Sequence, residues 1–277
     1  MLNADLHCHS NVSDGLLTPE VLAARAKLNG VDLWALTDHD EVNGVAPARA
    51  AAAELGLRFV AGVEISVTWA AQTVHIVGLQ IDETNKTLLQ GLQSTRGGRE
   101  PRAREIAAQL AEHGIADAYQ GALKHVGNPD LISRTHFARY IVELGHQPDI
   151  SAVFRHYLSE GKPGFVPHRW ATLKDAVGWI RGAGGIAIVA HPGRYKYSAL
   201  AFDAFLDEFK QLGGGAIEVV TGSHTKEQYP VYAKVAQDYG FMASRGSDFH
   251  GPHESRADLG TLPPLPIGVK PVWHDWV

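Results

Sequence analysis

The chain opens on Asp5-Leu6-His7-Cys8-His9. Along an extended strand alternate side chains share a face, so His7 and His9 point one way and Cys8 the other. Two imidazoles so placed make half of a metal site. Further donors recur down the chain: Asp14, His39 within Thr37-Asp38-His39-Asp40, Glu64, His75, His191 within Ala190-His191-Pro192, and Asp248 and His250 within Ser247-Asp248-Phe249-His250. Nine nitrogen and oxygen donors exceed what one tetrahedral ion takes and suit two or three. A carboxylate can bridge ions, and Glu64 is the expected bridge. Imidazole and carboxylate suit manganese, iron or zinc, and soft thiolate sites are excluded. Ions in such a site activate water for hydrolysis. Cys8 reads as a core residue, because alternation turns it away. Asp38 and Asp40 flank His39 and read as partners orienting an imidazole, with a loop cap as the plainer alternative. No Walker-type Gly-rich loop and no Ser-His-Asp arrangement competes for the chemistry.

These donors need elements to carry them, and nearly every cluster follows a short apolar run. Thr18 caps a first helix with Pro19 at its first position, and Asn29-Gly30 closes it. Strands are expected at 31–37, 58–63 and 73–79, with Glu64 at the end of the second of these and His75 inside the third. The segment 31–37 is apolar almost throughout, as in a strand buried on both faces. From about residue 85 to 164 the periodicity is helical, with no convincing strand. Strand and helix alternate again from Thr172, with strands at 186–190, 216–220 and 241–245. Alternating units imply a parallel sheet. Donors at successive strand ends imply a barrel, whose site lies at that face, rather than an open sheet with one crevice. The expected architecture is a seven-stranded (β/α)7 barrel, residues 1–97 and 165–277, with a helical cap inserted at 98–164.

Composition sets outer limits. The 277 residues are 45% hydrophobic, enough for one barrel-sized core. No apolar run is long enough to span a bilayer, and no signal peptide is expected. The single cysteine excludes an internal disulfide and fits a cytoplasmic location. A formal net charge of −5 argues against general nucleic-acid coating. Three bound divalent ions would add about six positive charges in one pocket. Fifteen histidines beside that one cysteine are the strongest compositional signal for nitrogen-ligated metal.

Asp5-Leu6-His7-Cys8-His9-Ser10, Thr37-Asp38-His39-Asp40, Gly62-Val63-Glu64, Ala190-His191-Pro192 and Ser247-Asp248-Phe249-His250 together resemble the motif series of the PHP (polymerase and histidinol phosphatase) family. The resemblance covers the chain outside the insertion. It implies a distorted seven-stranded β/α barrel with a trinuclear metal site and phosphoesterase activity. Carried over, it puts His7, His9, Glu64 and Asp248 on one metal, Glu64, His75 and His191 on a second, and Asp14, His39 and His250 on a third, with Mn²⁺ the first choice and Fe²⁺ or Zn²⁺ compatible. The insertion and His191-Pro192-Gly193-Arg194-Tyr195 look most like small bacterial members acting on nucleotides, either nucleoside 3′,5′-bisphosphate phosphatases or 5′-to-3′ exoribonucleases on short RNA. No protein partner is implied.

Phosphate needs cationic donors beside the metals. Arg194, just past His191, is best placed, since its fork grips phosphate bidentately. Arg134 and Lys162 in the insertion come next. His224 is a candidate phosphate ligand or general acid. Two anion-binding zones fit a small nucleotide with two phosphates, and a 5′-phosphorylated RNA end presents the same pair. Two other classes compete: a metal-dependent amidohydrolase or deaminase, which also opens with His-x-His, and a noncatalytic nucleic-acid-binding domain.

Overall fold

The computed structural model describes residues 2–276. The short apolar runs become the strands β1 (Ala4–Asp5), β2 (Leu33–Leu36), β3 (Arg58–Trp69), β4 (Gln72–Leu79), β5 (Ile186–Val189), β6 (Ala216–Thr221) and β7 (Met242–Gly246). They pair in sequence order within one seven-stranded sheet. Leu6 N–H donates to Arg245 O at 3.0 Å and Asp248 N–H to His7 O at 2.8 Å, which brings the first strand round to the last and nearly closes a barrel.

Two details depart from the sequence expectation. The sheet is not parallel throughout: β4 runs antiparallel to both β3 and β5. A two-residue turn joins β3 to β4, with Ala70 and Ala71 at φ of 45° and 61°. Such a turn normally carries Asn-Gly, so the hairpin left no signal in the sequence. In addition β3 runs past Val63 to Trp69, placing Glu64 mid-strand, while β1 stops at Asp5. His7 and His9 therefore lie on irregular backbone beyond β1, held by the parallel bridge between Cys8 and Phe249.

Alternation still sorts the residues. On β3 Val60 and Glu64 face inward, on β4 Leu79, Val77 and His75, and on β6 Ala216 and Glu218. Val60, Val77, Leu79, Ile188 and Ala216 fill one end of the barrel, and Val272 and Trp273 of the C-terminal segment plug it. The outward residues Val63, Ile65, Val67, Ile76, Val189 and Ile217 pack under the surrounding helices. These are α1 (Pro19–Leu28), α2 (Val45–Glu54), α8 (Leu173–Gly182), α9 (Ala199–Gln211) and α10 (Gln228–Tyr239). The Thr18 side chain caps α1 by accepting from Val21 N–H.

Between β4 and α8 come α3 (Lys86–Arg96), α4 (Arg99–Glu112), α5 (Ala118–Leu123), α6 (Arg134–Glu143) and α7 (Ile150–Val153), which continues as a π-helical turn over Phe154–Leu158. Leu88 and Leu92 of α3 join the barrel's outer core. The helices after it share a separate core of Ile106, Leu110, Phe137, Ile141, Val153 and Leu158. Their polar edge meets the barrel. Arg139 donates to Asp14 O at 2.6 Å and pairs with Glu254 at 2.8 Å. Arg99, buried, pairs with Asp40. No helix among the described residues is long and apolar enough to cross a membrane.

Candidate metal centre

The inward positions at the other end of the barrel carry the nine expected donors, and the structure brings all nine together. The two Nε2 atoms of His7 and His9 lie 3.2 Å apart. Glu64 Oε2 is 3.4 Å from His7 Nε2 and 3.3 Å from His9 Nε2, and Asp248 Oδ1 lies 3.6 Å and 3.3 Å from the same atoms. The other oxygen of Glu64, Oε1, is 3.0 Å from His75 Nδ1 and 2.9 Å from His191 Nε2, which are themselves 3.3 Å apart. Asp14 Oδ1 lies 3.4 Å from His250 Nε2 and 3.9 Å from His39 Nε2. His39 turns its Nδ1 to Glu64 Oε2 at 3.0 Å. Glu64 thus sits between the other two groups.

Several of these close approaches are not hydrogen bonds. His9 Nδ1, Asp14 Oδ1, His39 Nδ1 and Glu64 Oε2 are buried and lack any hydrogen-bond partner, although each has other donor-type atoms close by. Leaving buried polar atoms unpaired costs about 1–3 kcal/mol each. Two ligands about 2.1 Å from one tetrahedral ion lie roughly 3.4 Å apart. The observed separations match that edge, so the donor set fits divalent metal ions.

The charges agree. Burial raises the cost of ionising Asp14, Glu64 and Asp248, yet all three are held well below the usual carboxylate range. His39 and His250 do this for Asp14, His75 and His39 for Glu64, and Arg194 and His7 for Asp248. Burial opposes protonation of His7 too, but Glu218, Glu64 and Asp248 hold it well above its ordinary value. His9 is raised to about 10 against burial by its contacts with Asp248 and Glu64. Burial and the neighbouring Arg194 push His191 down to about 3. The centre is a pocket of concentrated negative charge in which imidazoles act as stand-in cations. The same field favours a divalent ion.

The supports behind the donors differ from expectation. Glu218, in the otherwise apolar β6, accepts from His7 Nδ1 at 2.7 Å and from His191 N–H at 2.5 Å. It fixes the His7 tautomer so that Nε2 faces the centre. Asp38 and Asp40, by contrast, orient no imidazole. Asp38 accepts from Ser10 N–H, Ser10 Oγ and Ser13 Oγ at 2.6–2.7 Å and so ties down the loop from His9 to Asp14. Asp40 accepts from Ser66 N–H at 2.8 Å and from Arg99. Asp40, His191 and Asp248 all take positive φ, at 50°, 27° and 55°. Non-glycine residues rarely do so, and here the strain lies at two donors and at the neighbour of a third, His39. Cys8 is buried, with its Sγ 3.2 Å from Trp34 Nε1, away from the centre.

A cavity of about 180 Å³ opens over the centre, lined by Asp14, His39, Glu64, His75, Asp248 and His250. Arg99, Arg102, Arg134 and Arg194 line it as well. Arg134 is sandwiched between Phe154 and Phe165 and donates to Leu158 O at 3.0 Å. Arg102 lies over Trp170 and donates to Val166 O at 3.0 Å. Neither has a carboxylate partner among the described residues. Burial pulls the Arg134 guanidinium down and, with Arg134 and Arg99 nearby, pulls Arg102 down to about 9. Arg194 reaches the centre itself and pairs with Asp248.

Two expected residues play no such part. Lys162 is exposed and does not line the cavity. It follows the tight turn that ends the π-helical segment and points to solvent. His224 has no free nitrogen: Nε2 accepts from Gly193 N–H at 3.0 Å and Nδ1 donates to Val219 O at 3.0 Å. Burial lowers its pKa further. Held this way, it braces the Pro192–Arg194 turn with neither nitrogen left to face the cavity. Sequence reading missed Arg99, Arg102 and Glu218. Only Glu218 carried a signal, as a lone carboxylate within an apolar strand.

A protein-family model described as the PHP domain matches residues 5–219. A 3′,5′-nucleoside bisphosphate phosphatase of Chromobacterium violaceum is 49% identical over 275 residues, covering 99% of this chain and 96% of the relative. The 5′-3′ exoribonuclease Rnm of Escherichia coli is 39% identical over 274 residues, covering 98% and 93%. A solved structure from Chromobacterium violaceum, described as an amidohydrolase with bound sulfate and no metal, superposes with a TM-score of 0.96 at 49% identity, covering 99% of this chain and 95% of that one. The chain belongs to the PHP domain family.

Proposed function

We propose that this PHP-family metal-dependent phosphoesterase removes the 3′-phosphate of nucleoside 3′,5′-bisphosphates, giving the 5′-monophosphate and phosphate. The observation that carries the reading is a cavity lined by carboxylates and imidazoles together with two half-buried guanidiniums, Arg102 and Arg134, that lack a carboxylate partner among the described residues. Such a cavity holds two anionic groups at once. The bisphosphate phosphatase among the relatives supports the substrate class.

In this reading three ions are held by His7, His9, Glu64 and Asp248; by Glu64, His75 and His191; and by Asp14, His39 and His250. Mn²⁺ is the first choice, with Fe²⁺ or Zn²⁺ compatible with the donors. When bound, the ions lower the pKa of water and neutralise charge on the phosphoryl oxygens. The chain does the rest. Glu218 locks His7 and the His191 backbone. Arg102 and Arg134 hold the 5′-phosphate through charge-assisted hydrogen bonds, which fixes the 3′-phosphate over the centre. Arg194, within reach of Asp248, turns its remaining donors to the reacting phosphate. Residues 98–164 act as a cap that brings Arg99, Arg102 and Arg134 to the barrel formed by 1–97 and 165–277.

The amidohydrolase reading shares the metal donors but leaves the half-buried Arg102 and Arg134, which have no carboxylate partner among the described residues, without a task. The test is release of phosphate against ammonia by Mn²⁺-loaded protein, with adenosine 3′,5′-bisphosphate, adenosine 3′-monophosphate and adenosine as substrates. The expected result is phosphate release that a chelator abolishes, with the bisphosphate preferred over the 3′-monophosphate. Ammonia release, or no preference between the two nucleotides, overturns the proposal.

A further inference from the structure

The three donor groups of the centre are not braced by the same part of the chain. Glu218 of β6 holds His7 and the His191 backbone, and the Tyr195 hydroxyl accepts from His75 N–H at 2.9 Å. Those supports belong to the barrel. The group of Asp14, His39 and His250 is instead braced by α4 and α6 of the insertion. Ser133 Oγ and Thr135 Oγ1 donate to Asp14 Oδ2 at 3.2 Å and 3.0 Å. Arg139, one turn further along α6, donates to Asp14 O at 2.6 Å and pairs with Glu254 at 2.8 Å. The next residue, Ser255, accepts from His250 N–H at 2.7 Å. Arg99 of α4 pairs with Asp40, the neighbour of His39.

The start of α6 also faces the cavity. Arg134 stands between Ser133 and Thr135 in sequence, and all three line the space over the centre. One helical turn therefore carries both hydroxyls on Asp14 and a guanidinium without a carboxylate partner among the described residues. The hydroxyls take Oδ2 and leave Oδ1, which is buried without a hydrogen-bond partner and lies 3.4 Å from His250 Nε2. A cation held through Oδ1 fixes the carboxylate and, through Oδ2, the turn that donates to it. A phosphate on Arg134 fixes the same turn. Whichever binds first meets the cost of ordering that turn, so the second binds more tightly.

We propose that Ser133 and Thr135 are positioning residues that couple occupancy of the Asp14–His39–His250 group to the 5′-phosphate on Arg134, so that cation and nucleotide each raise the other's affinity. The proposal rests on the three-ion phosphoesterase reading above and adds a regulation of that site. The full set of ions assembles when a nucleotide is seated and loosens when it leaves. By linkage the two enhancements are the same factor. A ligand without a 5′-phosphate gives none, because it does not engage Arg134. The donors braced by Glu218 and Tyr195 lie outside this coupling, since no contact from α6 supports them.

The test titrates Mn²⁺ into metal-free protein and follows the free ion by electron paramagnetic resonance, with adenosine 5′-monophosphate, with adenosine, or with neither. Both compounds lack a 3′-phosphate, so turnover does not intervene. H250A removes one donor of this group and marks its step in the titration. In the wild type, adenosine 5′-monophosphate tightens that step by roughly tenfold, adenosine leaves it unchanged, and nucleotide affinity measured by calorimetry rises by the same factor across the step. T135V keeps the shape of the side chain and removes the hydroxyl. It weakens that step alone by roughly 10–100-fold and abolishes the nucleotide effect, and T135S restores both. S133G, at a helix start where glycine is tolerated, acts in the same direction and replaces T135V should that variant misfold. R134A keeps the metal affinity and loses only the nucleotide effect. Equal weakening of every step by T135V overturns the proposal, because the hydroxyl then supports the fold at large. A T135V titration identical to wild type overturns it, as does a nucleotide effect that survives in T135V or R134A. A wild type that takes up fewer than three ions brings down the three-ion reading itself, and the coupling with it.

Discussion

Replacing Glu218 with glutamine tests how the centre is held, because the change removes charge and one acceptor while keeping shape. The Glu218 carboxylate accepts from His7 Nδ1 at 2.7 Å and from His191 N–H at 2.5 Å. A glutamine has one acceptor oxygen. If that oxygen serves His191, the amide NH₂ faces His7 Nδ1 and favours the tautomer whose proton sits on Nε2, blocking the atom that faces the centre. If it serves His7, the NH₂ meets the His191 N–H donor to donor. The second orientation leaves a buried donor unpaired, at about 1–3 kcal/mol, and the first blocks the metal-facing nitrogen. Loss of such a partner behind a ligating histidine typically lowers metal affinity about 10–100-fold, or roughly 1.4–2.7 kcal/mol. The two estimates agree. The assay is Mn²⁺ affinity by chelator competition, followed by phosphate release at saturating metal. Weaker binding by E218Q with activity partly restored at high Mn²⁺ is the expected outcome. Unchanged affinity and unchanged turnover would falsify the role given to Glu218.

Three further outcomes follow from other contacts. R134A raises KM for adenosine 3′,5′-bisphosphate by roughly 10–100-fold, the worth of a charge-assisted hydrogen bond, and leaves adenosine 3′-monophosphate kinetics unchanged; an equal loss on both nucleotides removes Arg134 from the 5′-phosphate. H224Q supplies an acceptor for Gly193 N–H and a donor for Val219 O, so it keeps kcat/KM within about threefold, whereas H224A loosens the turn carrying Arg194 and loses roughly tenfold; loss of one limb of the pH–rate profile in both variants would restore His224 as an acid. His136 is buried and pushed down to about 3, first by burial and then by Arg139 and Arg99, with Asp14 opposing. Its folded pKa lies below its unfolded value, so stability is complete above about pH 6.5 and falls as pH drops toward 3. The loss between pH 6.5 and 5.0 is about 1.6 kcal/mol. H136Q keeps the capping box at Ser133 and removes that loss, so urea unfolding of chelator-treated protein at the two pH values should separate the variants by this amount; parallel stability curves refute it.

The donors were legible because chemistry constrains residue type more tightly than geometry does. Histidines and acids beside apolar runs stand out whatever the strand direction. The barrel was legible from the same alternation, with helices where Thr18, Pro19 and Asn29-Gly30 mark them. The reversed β4 was not, since an Ala-Ala turn carries no hairpin chemistry and only pairing with β3 and β5 holds it in positive φ. Nor was the end of β3, because Glu64 reads as a polar stop when seen without its neighbours, whereas in the barrel it is one inward residue among outward Val63 and Ile65. Arg102 and Arg134 lie on cap helices whose placement depends on tertiary contacts such as Arg139 with Glu254. Among many similar insertion arginines, these two are distinguished by lining the cavity without a carboxylate partner among the described residues. His224 misled for the same reason, as a histidine after a strand looks functional until both nitrogens are seen to be engaged.

The centre also dictates an order of assembly during synthesis. Its donors extend from His7 to His250, and the last pair arrives with the strand that closes the barrel against the first. Glu64 and His75 meet early, across one hairpin. His7 and His9 emerge first and wait longest, because Asp248 and His250 are synthesised near the end. Until then the acids and imidazoles remain in water, where their charge has no cost. Burying them without a cation would leave several unpaired at once. Metal capture is therefore coupled to the closure of the barrel, when the segment after β7 meets the one after β1.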